Sequence, residues 1–379
     1  MKKSNIIIIA VVVIVLVIIG VSKNTKQVST EPVRIGAALM LTGPTALLGE
    51  LQQNGINLAV EKINKDGGIH GRPIEVIVED STYDPKTAVS AYQALKAKGL
   101  KNFIIDGSSV VASTRQLVVD DGNFTIAGVA TAQSYFDDNN RTCRIGLTAK
   151  TLGPGLSALA LKGGYKKVAL FLPDNEYGRG LADEFTKTFT SNGGTIVVSE
   201  FYNSAPTASD FRTNITKIKS VQPTIDAIVF SQVLNNIEPM LNQMKTLGLT
   251  KPILSEFPTV TNPGLKDLSL MEGTQFLDSE YLKTDSPADS ADTKAFKEAY
   301  RAKYGSDPIY FAAAHYDVTL LLANTIKEVG EDPQKIADHI SALKNYPGIT
   351  GTYSFNSDCE VDRKIVTKKV EGGKIVDVN

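Results

Sequence analysis

The apolar and polar residues from position 33 onward alternate between two spacings. Short apolar runs such as "VRIGAALML", "NFIID" and "KKVALFL" predict buried strands. Longer stretches between them have helical spacing. In "GELQQNGINLAVEKIN" the apolar residues recur near one face, and "DGG" ends the helix. Strands that alternate with helices predict parallel sheets covered by helices on both faces.

This alternation runs through two series that are separated near "RTCRIGLTA". The first series ends with the strand "FTIAGVA", and the second begins with the helix "LGPGLSALALKGG". Two series predict an α/β fold of two lobes, each with a doubly wound parallel sheet. Ligands of such sheets bind beyond the carboxyl ends of the strands. The loops in "IIDGSSV" and "AGVATAQ" are therefore candidate binding loops, because each follows a strand.

The N-terminal segment lies outside this pattern and is apolar throughout. Residues 6–21, "IIIIAVVVIVLVIIGV", follow "MKKSN". Their length lies between that of a signal-peptide core and that of a full span of about twenty residues. The two lysines would hold that end in the cytoplasm. We therefore expect residues 1–30 to form an uncleaved membrane anchor plus linker, with an extracytoplasmic body; a cleaved signal, with a mature N-terminus near Ser29, is the alternative.

The composition excludes several classes of function. The chain has 379 residues, of which 42% are hydrophobic and 21% charged, and its formal net charge is −1. No basic stripe with interleaved aromatic residues indicates nucleic acid. Two cysteines and three histidines without metal-ligand spacing predict no metal. No nucleotide-binding fingerprint or nucleophile elbow is present, so we expect no cofactor and no enzymatic activity.

The tetrapeptide "GSSV" at residues 107–110 has two interpretations. Serine is a good helix N-cap, because its oxygen accepts an unpaired backbone N–H. Free N–H groups and hydroxyls at a helix start also favour an anion such as a carboxylate. The position of "GSSV" after a strand favours the second interpretation without excluding the first.

Five fragments occur in an order that is specific to one protein family. They are "RIGAALMLTGPTALLGE", "GINLAVEKINKDGGIHGRPIEVIVEDSTYDPKTAV", "DNEYGRGLADEF", "AYRAKYGSDPIYFAAAHYD" and "GITGTYSFN". Over nearly all of residues 33–370 the chain resembles the type I periplasmic solute-binding proteins of the leucine/isoleucine/valine-binding kind, which serve ABC importers. The resemblance implies two α/β lobes joined by three crossovers, here near Cys143, Asp278 and Tyr346. The implied ranges are 33–142 and 279–345 for the first lobe, and 143–278 and 346–379 for the second.

The resemblance also implies how the first lobe holds an amino acid. Ser108 or Ser109, together with Thr131, would bind the ligand carboxylate. The carbonyl of Val129 or Ala130 would accept a proton of the ammonium group. Charge-assisted hydrogen bonds of this kind are the stronger ones. Without the resemblance, Thr131 would be a turn residue.

In the second lobe, the resemblance points to Tyr177 and Glu256. Tyr177 lies where family members stack an aromatic ring against the ligand; packing at a helix N-terminus is its alternative role. Glu256 would pair with the ammonium group, in an alignment that needs a one-residue gap.

Two departures from the family pattern concern the pocket for the ligand side chain. Leu48 replaces an aromatic residue, and Gln232, Val233 and Leu234 stand where a tyrosine is usual. An aliphatic ligand side chain would suit Leu48 and Val233.

The function implied is that of a monomeric receptor that captures a small amino acid and presents it to an ABC permease in the membrane. A ligand-binding sensor for another small carboxylate or amide is the alternative, although only "MKKSN" would lie in the cytoplasm. The compartment permits a disulfide. In the implied topology Cys143 and Cys359 lie near crossovers, and both a disulfide between them and two free thiols remain open.

Overall fold

The computed structural model describes residues 31–132, 140–204, 209–281 and 286–378. The predicted anchor at residues 6–21 lies outside these ranges. The strands are β1 (Val33–Leu39), β2 (Ile74–Asp80), β3 (Asn102–Ile105), β4 (Phe124–Ala127), β5 (Thr142–Arg144), β6 (Lys167–Pro173), β7 (Thr195–Tyr202), β8 (Ala227–Phe230), β9 (Ile253–Glu256), β10 (Gln275–Ser279), β11 (Tyr346–Gly348), β12 (Gly351–Tyr353), β13 (Ile365–Glu371) and β14 (Lys374–Asp377). The helices are α1 (Ala46–Lys65), α2 (Pro85–Ala97), α3 (Ser108–Asp120), α4 (Ala149–Lys162), α5 (Glu176–Ser191), α6 (Arg212–Ser220), α7 (Ile237–Thr246), α8 (Phe257–Val260), α9 (Ala291–Tyr304), α10 (Tyr310–Val329) and α11 (Pro333–Ala342).

The first lobe is built on a parallel sheet with the strand order β2-β1-β3-β4-β5. One face of this sheet packs against α2 and α3 through Tyr92, Leu95 and Val110. The other face is covered by α1 and α10, which pack on each other. A Cβ on Gly55 would lie 2.0 Å from the carbonyl oxygen of Ala312, so only glycine permits this close approach of the two helices.

The second lobe repeats this order. Its sheet is β14-β13-β10-β9-β8-β6-β7, in which β7-β6-β8-β9-β10 corresponds to the five strands of the first sheet and is likewise parallel. The outer strands β13 and β14 are antiparallel additions. The predicted α/β fold with two doubly wound lobes is confirmed, while the antiparallel edge departs from the expectation of purely parallel sheets.

The three predicted crossover positions fall on strands. Cys143 lies in β5 of the first sheet, Asp278 lies in β10 of the second, and Tyr346 begins β11, which forms a separate two-stranded sheet with β12. The lobe boundaries given above therefore remain a prediction.

Cys143 and Cys359 are joined by a disulfide in the structure. Both are fully buried. The bond connects β5 of the first lobe to the chain segment that leads into β13 of the second lobe.

Among the residues that the structure describes, no helix is both long enough and apolar enough to cross a membrane. The same part of the chain contains no group of three or more histidine, cysteine or acidic side chains arranged to hold a metal ion.

Candidate ligand-binding site

A cavity lies between the lobes, at the carboxyl ends of both sheets. Its empty volume, which includes space open to solvent, is ≈ 350 Å³. It is lined by Met40, Thr45, Leu48, Tyr83, Gly107, Ser108, Val129, Thr131, Tyr177, Val233, Pro258 and Phe311. The lobes touch beside it, because the Asn235 N–H donates to the Pro44 carbonyl at 2.7 Å.

The two sheets supply equivalent loops to this cavity. In each lobe the loops after the first, third and fourth strands in chain order contribute residues. In the first lobe these residues are Met40, Ser108 and Thr131. In the second lobe the corresponding loops carry Tyr177, Val233 and Pro258. The site therefore follows from the topology, since such sheets bind ligands beyond their strand ends.

Ser108 lines the cavity, and its hydroxyl oxygen accepts the backbone N–H groups of Thr131 and Ala132, both at 3.1 Å. A hydroxyl has one proton and two acceptor lone pairs. Because both lone pairs are used, the remaining hydrogen bond that Ser108 can make is a donation. A donor of this kind suits a carboxylate.

The interpretation of the serines as a helix cap is wrong. The residue before α3 is Gly107, whose φ is 92°, and no side chain caps this helix. Ser108 instead bonds to the loop after β4, and the side chain of Ser109 bonds to the Tyr83 hydroxyl. Glycine is required at position 107 by its positive φ and by the Tyr83 ring, which would lie 2.9 Å from a Cβ there.

Of Val129 and Ala130, Val129 is the one that lines the cavity. Its N–H donates at 2.8 Å to Asp106, a fully buried carboxylate that follows β3. The other oxygen of Asp106 accepts from the Gln52 amide at 2.9 Å and lies 2.7 Å from Nε2 of His315. These contacts fix the loop after β4 to the helices α1 and α10, and sequence reasoning did not find them.

The second lobe contributes a chain of hydroxyl groups that ends at a buried carboxylate. The Tyr177 hydroxyl lies 2.7 Å from that of Ser231, which donates to Oε1 of Glu256 at 2.8 Å. Thr259 also donates to Oε1, at 2.7 Å. The second oxygen, Oε2, is buried and has no hydrogen-bond partner among the described residues.

Burial raises the pKa of Glu256 to about 7. Hydroxyl contacts with Tyr177, Thr259 and Ser231 lower the pKa, but the effect of burial is larger. The negative charge of Asp278 raises the pKa further. The pKa of Tyr177 is also raised, by burial first and by the Glu256 charge second. A buried carboxylate with one unpaired oxygen gains most from a positively charged partner.

The rest of the cavity wall is mostly apolar. Leu48 and Val233 line it, together with Met40, Pro258 and Phe311. Gln232 does not line it, because its amide oxygen accepts from the Tyr202 hydroxyl at 3.0 Å and from the Leu234 N–H at 2.9 Å. Tyr83, Pro258 and Phe311 were not predicted; Tyr83 follows the predicted strand "PIEVIVED", and that position was its only signal.

Two lobes of like topology around an interlobe cavity define a binding protein of the two-lobed periplasmic type. The family model described as "Periplasmic binding protein" matches residues 32–374. The chain belongs to this family, whose members are extracytoplasmic. The predicted family is confirmed.

Several relatives carry names that describe what they bind. The leucine-, isoleucine-, valine-, threonine- and alanine-binding protein of Pseudomonas aeruginosa is 26% identical over 341 residues, which cover 86% of this chain and 87% of the relative. The Leu/Ile/Val-binding protein BraC3 of Rhizobium johnstonii is 27% identical over 360 residues, covering 91% and 93%. These homologues are solute-binding proteins.

Solved structures show the same fold. The branched-chain amino acid transporter substrate-binding protein LivJ of Streptococcus pneumoniae, solved with isoleucine, has a TM-score of 0.78 at 27% identity and covers 91% of this chain and 98% of its own. The leucine-binding protein LivK of Thermotoga maritima has a TM-score of 0.80 at 22% identity, covering 92% and 98%.

Proposed function

We propose that the protein is an extracytoplasmic solute-binding protein that captures a small aliphatic amino acid and delivers it to an ABC importer. The observation that carries this proposal is Glu256, a buried carboxylate with an unpaired oxygen joined through Ser231 to the cavity residue Tyr177. The opposite lobe offers hydrogen-bond donors at Ser108 and Thr131. Glu256 lies behind Tyr177 and outside the cavity lining, so a carboxylate behind one wall and donors on the other would complement the ammonium and carboxylate groups of one amino acid.

The side chain of the ligand would lie against Leu48, Val233, Met40 and Phe311. The small cavity and these apolar residues favour a branched aliphatic side chain. The names of the homologues, and the isoleucine bound to the Streptococcus pneumoniae protein, support the same ligand class. Closure of the lobes would then be driven by the difference in ligand affinity between the closed and open forms.

In this proposal residues 6–21 hold a monomeric binding protein at the outer surface of the membrane, next to its permease. N-terminal sequencing of the membrane fraction tests the anchor. A mature N-terminus near Ser29 would contradict it and select the cleaved signal.

A thermal-shift screen of the full-length protein against the proteinogenic amino acids tests the proposed ligand class. A ligand at one hundred times its dissociation constant adds about 2.7 kcal/mol to the free energy of unfolding. We expect leucine, isoleucine or valine to raise the melting temperature, and 4-methylvalerate, which is leucine without its amino group, to have little effect. Stabilisation by 4-methylvalerate equal to that by leucine would favour a receptor for simple carboxylates, and no stabilisation by any amino acid would contradict the proposal.

Thr131→Val should weaken binding of the amino acid found in this screen by roughly ten- to a hundredfold. The substitution removes one hydroxyl donor from the ligand carboxylate, and hydrogen bonds to charged groups contribute ~1.5–3 kcal/mol. Isothermal titration calorimetry measures the dissociation constant. Thr190→Val, at the C-terminal end of α5 where the hydroxyl donates to the Thr186 carbonyl, is the matched control and should keep the parent affinity. An unchanged affinity in Thr131→Val would place the carboxylate elsewhere.

Amino-acid affinity should fall as the pH is lowered below about 7. Glu256 has a raised pKa of about 7 in the free protein, and an ammonium group binds its ionised form. Binding below this pH must therefore expel a proton, so the affinity falls by up to about tenfold per pH unit and is constant above the pKa. Calorimetry at ~pH 6 in two buffers of different ionisation enthalpy measures the released proton. Equal heats in both buffers would contradict this linkage.

The raised pKa of Glu256 also makes the stability of the free protein depend on pH. Whereas the ligand affinity rises with pH, this contribution to stability falls. Between the unfolded value of 4.5 and about 7, the unfolded chain loses the Glu256 proton while the folded protein retains it. The contribution of this group to the free energy of unfolding therefore falls as the pH rises through this window.

A further inference from the structure

Arg144 of β5 is fully buried and reaches the loop that carries Thr131. Its Nη1 donates to the carbonyl oxygens of Ala130 at 2.8 Å and Ala132 at 2.7 Å. Its Nη2 pairs with the carboxylate of Glu360, which is 5% exposed. One guanidinium therefore connects both residues that flank Thr131 to a carboxylate more than two hundred positions later in the chain.

Three further backbone groups, on Thr131 and Ala132, are held from other directions. The N–H groups of Thr131 and Ala132 donate to Ser108, and the Thr131 carbonyl accepts from the Ala149 N–H at 2.8 Å. Arg144 supplies the bonds to the two flanking carbonyls. The backbone of Thr131 is thus fixed on each side, while the residue itself lines the cavity.

Arg144 is in turn held by its own neighbours. Its N–H donates to the Cys359 carbonyl at 3.1 Å, and the adjacent Cys143 is bonded to Cys359. The Glu360 N–H donates to the side chain of Asn356 at 2.9 Å. The position of the guanidinium is therefore fixed by the backbone of Arg144 and by Glu360.

Stability alone does not account for a buried pair of this kind. Taking two charges out of water is costly, and replacing a buried ion pair by apolar residues of similar volume is often neutral or stabilising. Apolar residues could not hold two carbonyl groups in one geometry, whereas the planar guanidinium has five donors in a rigid arrangement.

We propose that Arg144 is a positioning residue for ligand binding, which fixes the Ala130 and Ala132 carbonyls so that Thr131 presents its hydroxyl to the ligand carboxylate. Glu360 and the Cys143–Cys359 bond hold Arg144 in place. This inference rests on the proposed function, in which Thr131 binds the carboxylate of an amino acid.

A double-mutant cycle in ligand affinity tests the proposal. The variants are Thr131→Val, the pair variant Arg144→Met/Glu360→Met, and the triple variant that combines them. Removing both members of the ion pair avoids leaving either Arg144 or Glu360 without the other. L-isoleucine is the probe, and calorimetry gives its dissociation constant. We expect the pair variant to bind about tenfold more weakly than the parent, and the triple variant to bind within twofold of Thr131→Val.

A merely structural role would not give this pattern. The pair variant would then keep the parent affinity, or would lower it by the same factor in both backgrounds; either result overturns the proposal. The buried pair Lys297–Asp289, with its 2.7 Å contact in the first lobe, is the matched control. Lys297→Met/Asp289→Met should keep the parent affinity for L-isoleucine.

Failure of the proposed function and failure of the pair variant to fold can each be distinguished from failure of this inference. A parent protein that binds no amino acid overturns the proposed function, and this inference falls with it. If the pair variant does not fold, as judged by circular dichroism, Arg144→Lys replaces it in the cycle. Lysine keeps the charge beside Glu360 but lacks the rigid fork, so the same tenfold loss and the same absence of additivity with Thr131→Val are expected, and full parent affinity overturns the inference.

Discussion

Replacing Glu256 with glutamine should weaken amino-acid binding by roughly 30- to 1,000-fold without destabilising the free protein. Glutamine keeps an acceptor for the hydroxyls of Ser231 and Thr259 but carries no charge for the ligand ammonium group. Losing one partner of a buried, hydrogen-bonded charge pair costs ~2–4 kcal/mol of binding free energy. The free protein should be equally or more stable, because glutamine is neutral at a fully buried position where a carboxylate loses its hydration.

Calorimetric titration with L-isoleucine and urea unfolding of the free protein measure the two effects. Glu200→Gln is the matched control, since Glu200 is buried in the second lobe and accepts from Asn214 at 2.8 Å, away from the cavity. It should leave affinity unchanged. Parent-like affinity in Glu256→Gln would show that the ammonium group does not meet this carboxylate.

Removing the disulfide with Cys143→Ala/Cys359→Ala should lower the free energy of unfolding by ~2–5 kcal/mol. The bond closes a loop with a sequence separation of 216, and cross-links that close long loops restrict the unfolded chain most. Alanine is chosen because both positions are fully buried and a serine hydroxyl would need a partner there.

Urea unfolding of the oxidised parent, the reduced parent and the double variant measures this contribution. The reduced parent should unfold near the midpoint of the variant, and adding reductant to the variant should change nothing. Equal midpoints for the oxidised parent and the variant would mean that the cross-link adds no stability.

Much of the fold could be predicted because its signals are local. The strand β1 begins with the apolar run "VRIGAALML", and β3 lies within "NFIID". The antiparallel strands β13 and β14 were not predicted. Apart from Lys368 and Val370 their residues are partly buried or exposed, so they lack the continuous apolar pattern of a central parallel strand.

The residues of the candidate site that directly follow strands could be predicted. Contacts between residues distant in the sequence could not. Ser108, Thr131 and Tyr177 each follow a recognisable strand, and the structure brings them to one cavity. Whether they bind a ligand stays a prediction. The contact of Asp106 with His315 joins positions on different segments, and no local spacing signals it. The serine cap was a wrong inference because local preference for a cap lost to the two N–H donors of the loop after β4.

The interleaving of the chain between the lobes constrains the order in which the protein can be completed during synthesis. The cover of one face of the first sheet is incomplete until α10, at residues Tyr310–Val329, has been made. The second sheet lacks β13 until residue 371. Cys143 must likewise remain reduced until Cys359 emerges. Nearly the whole chain must therefore be present before either half is complete, so a chain that ended after β10 would lack α10 in the first lobe and β13 and β14 in the second.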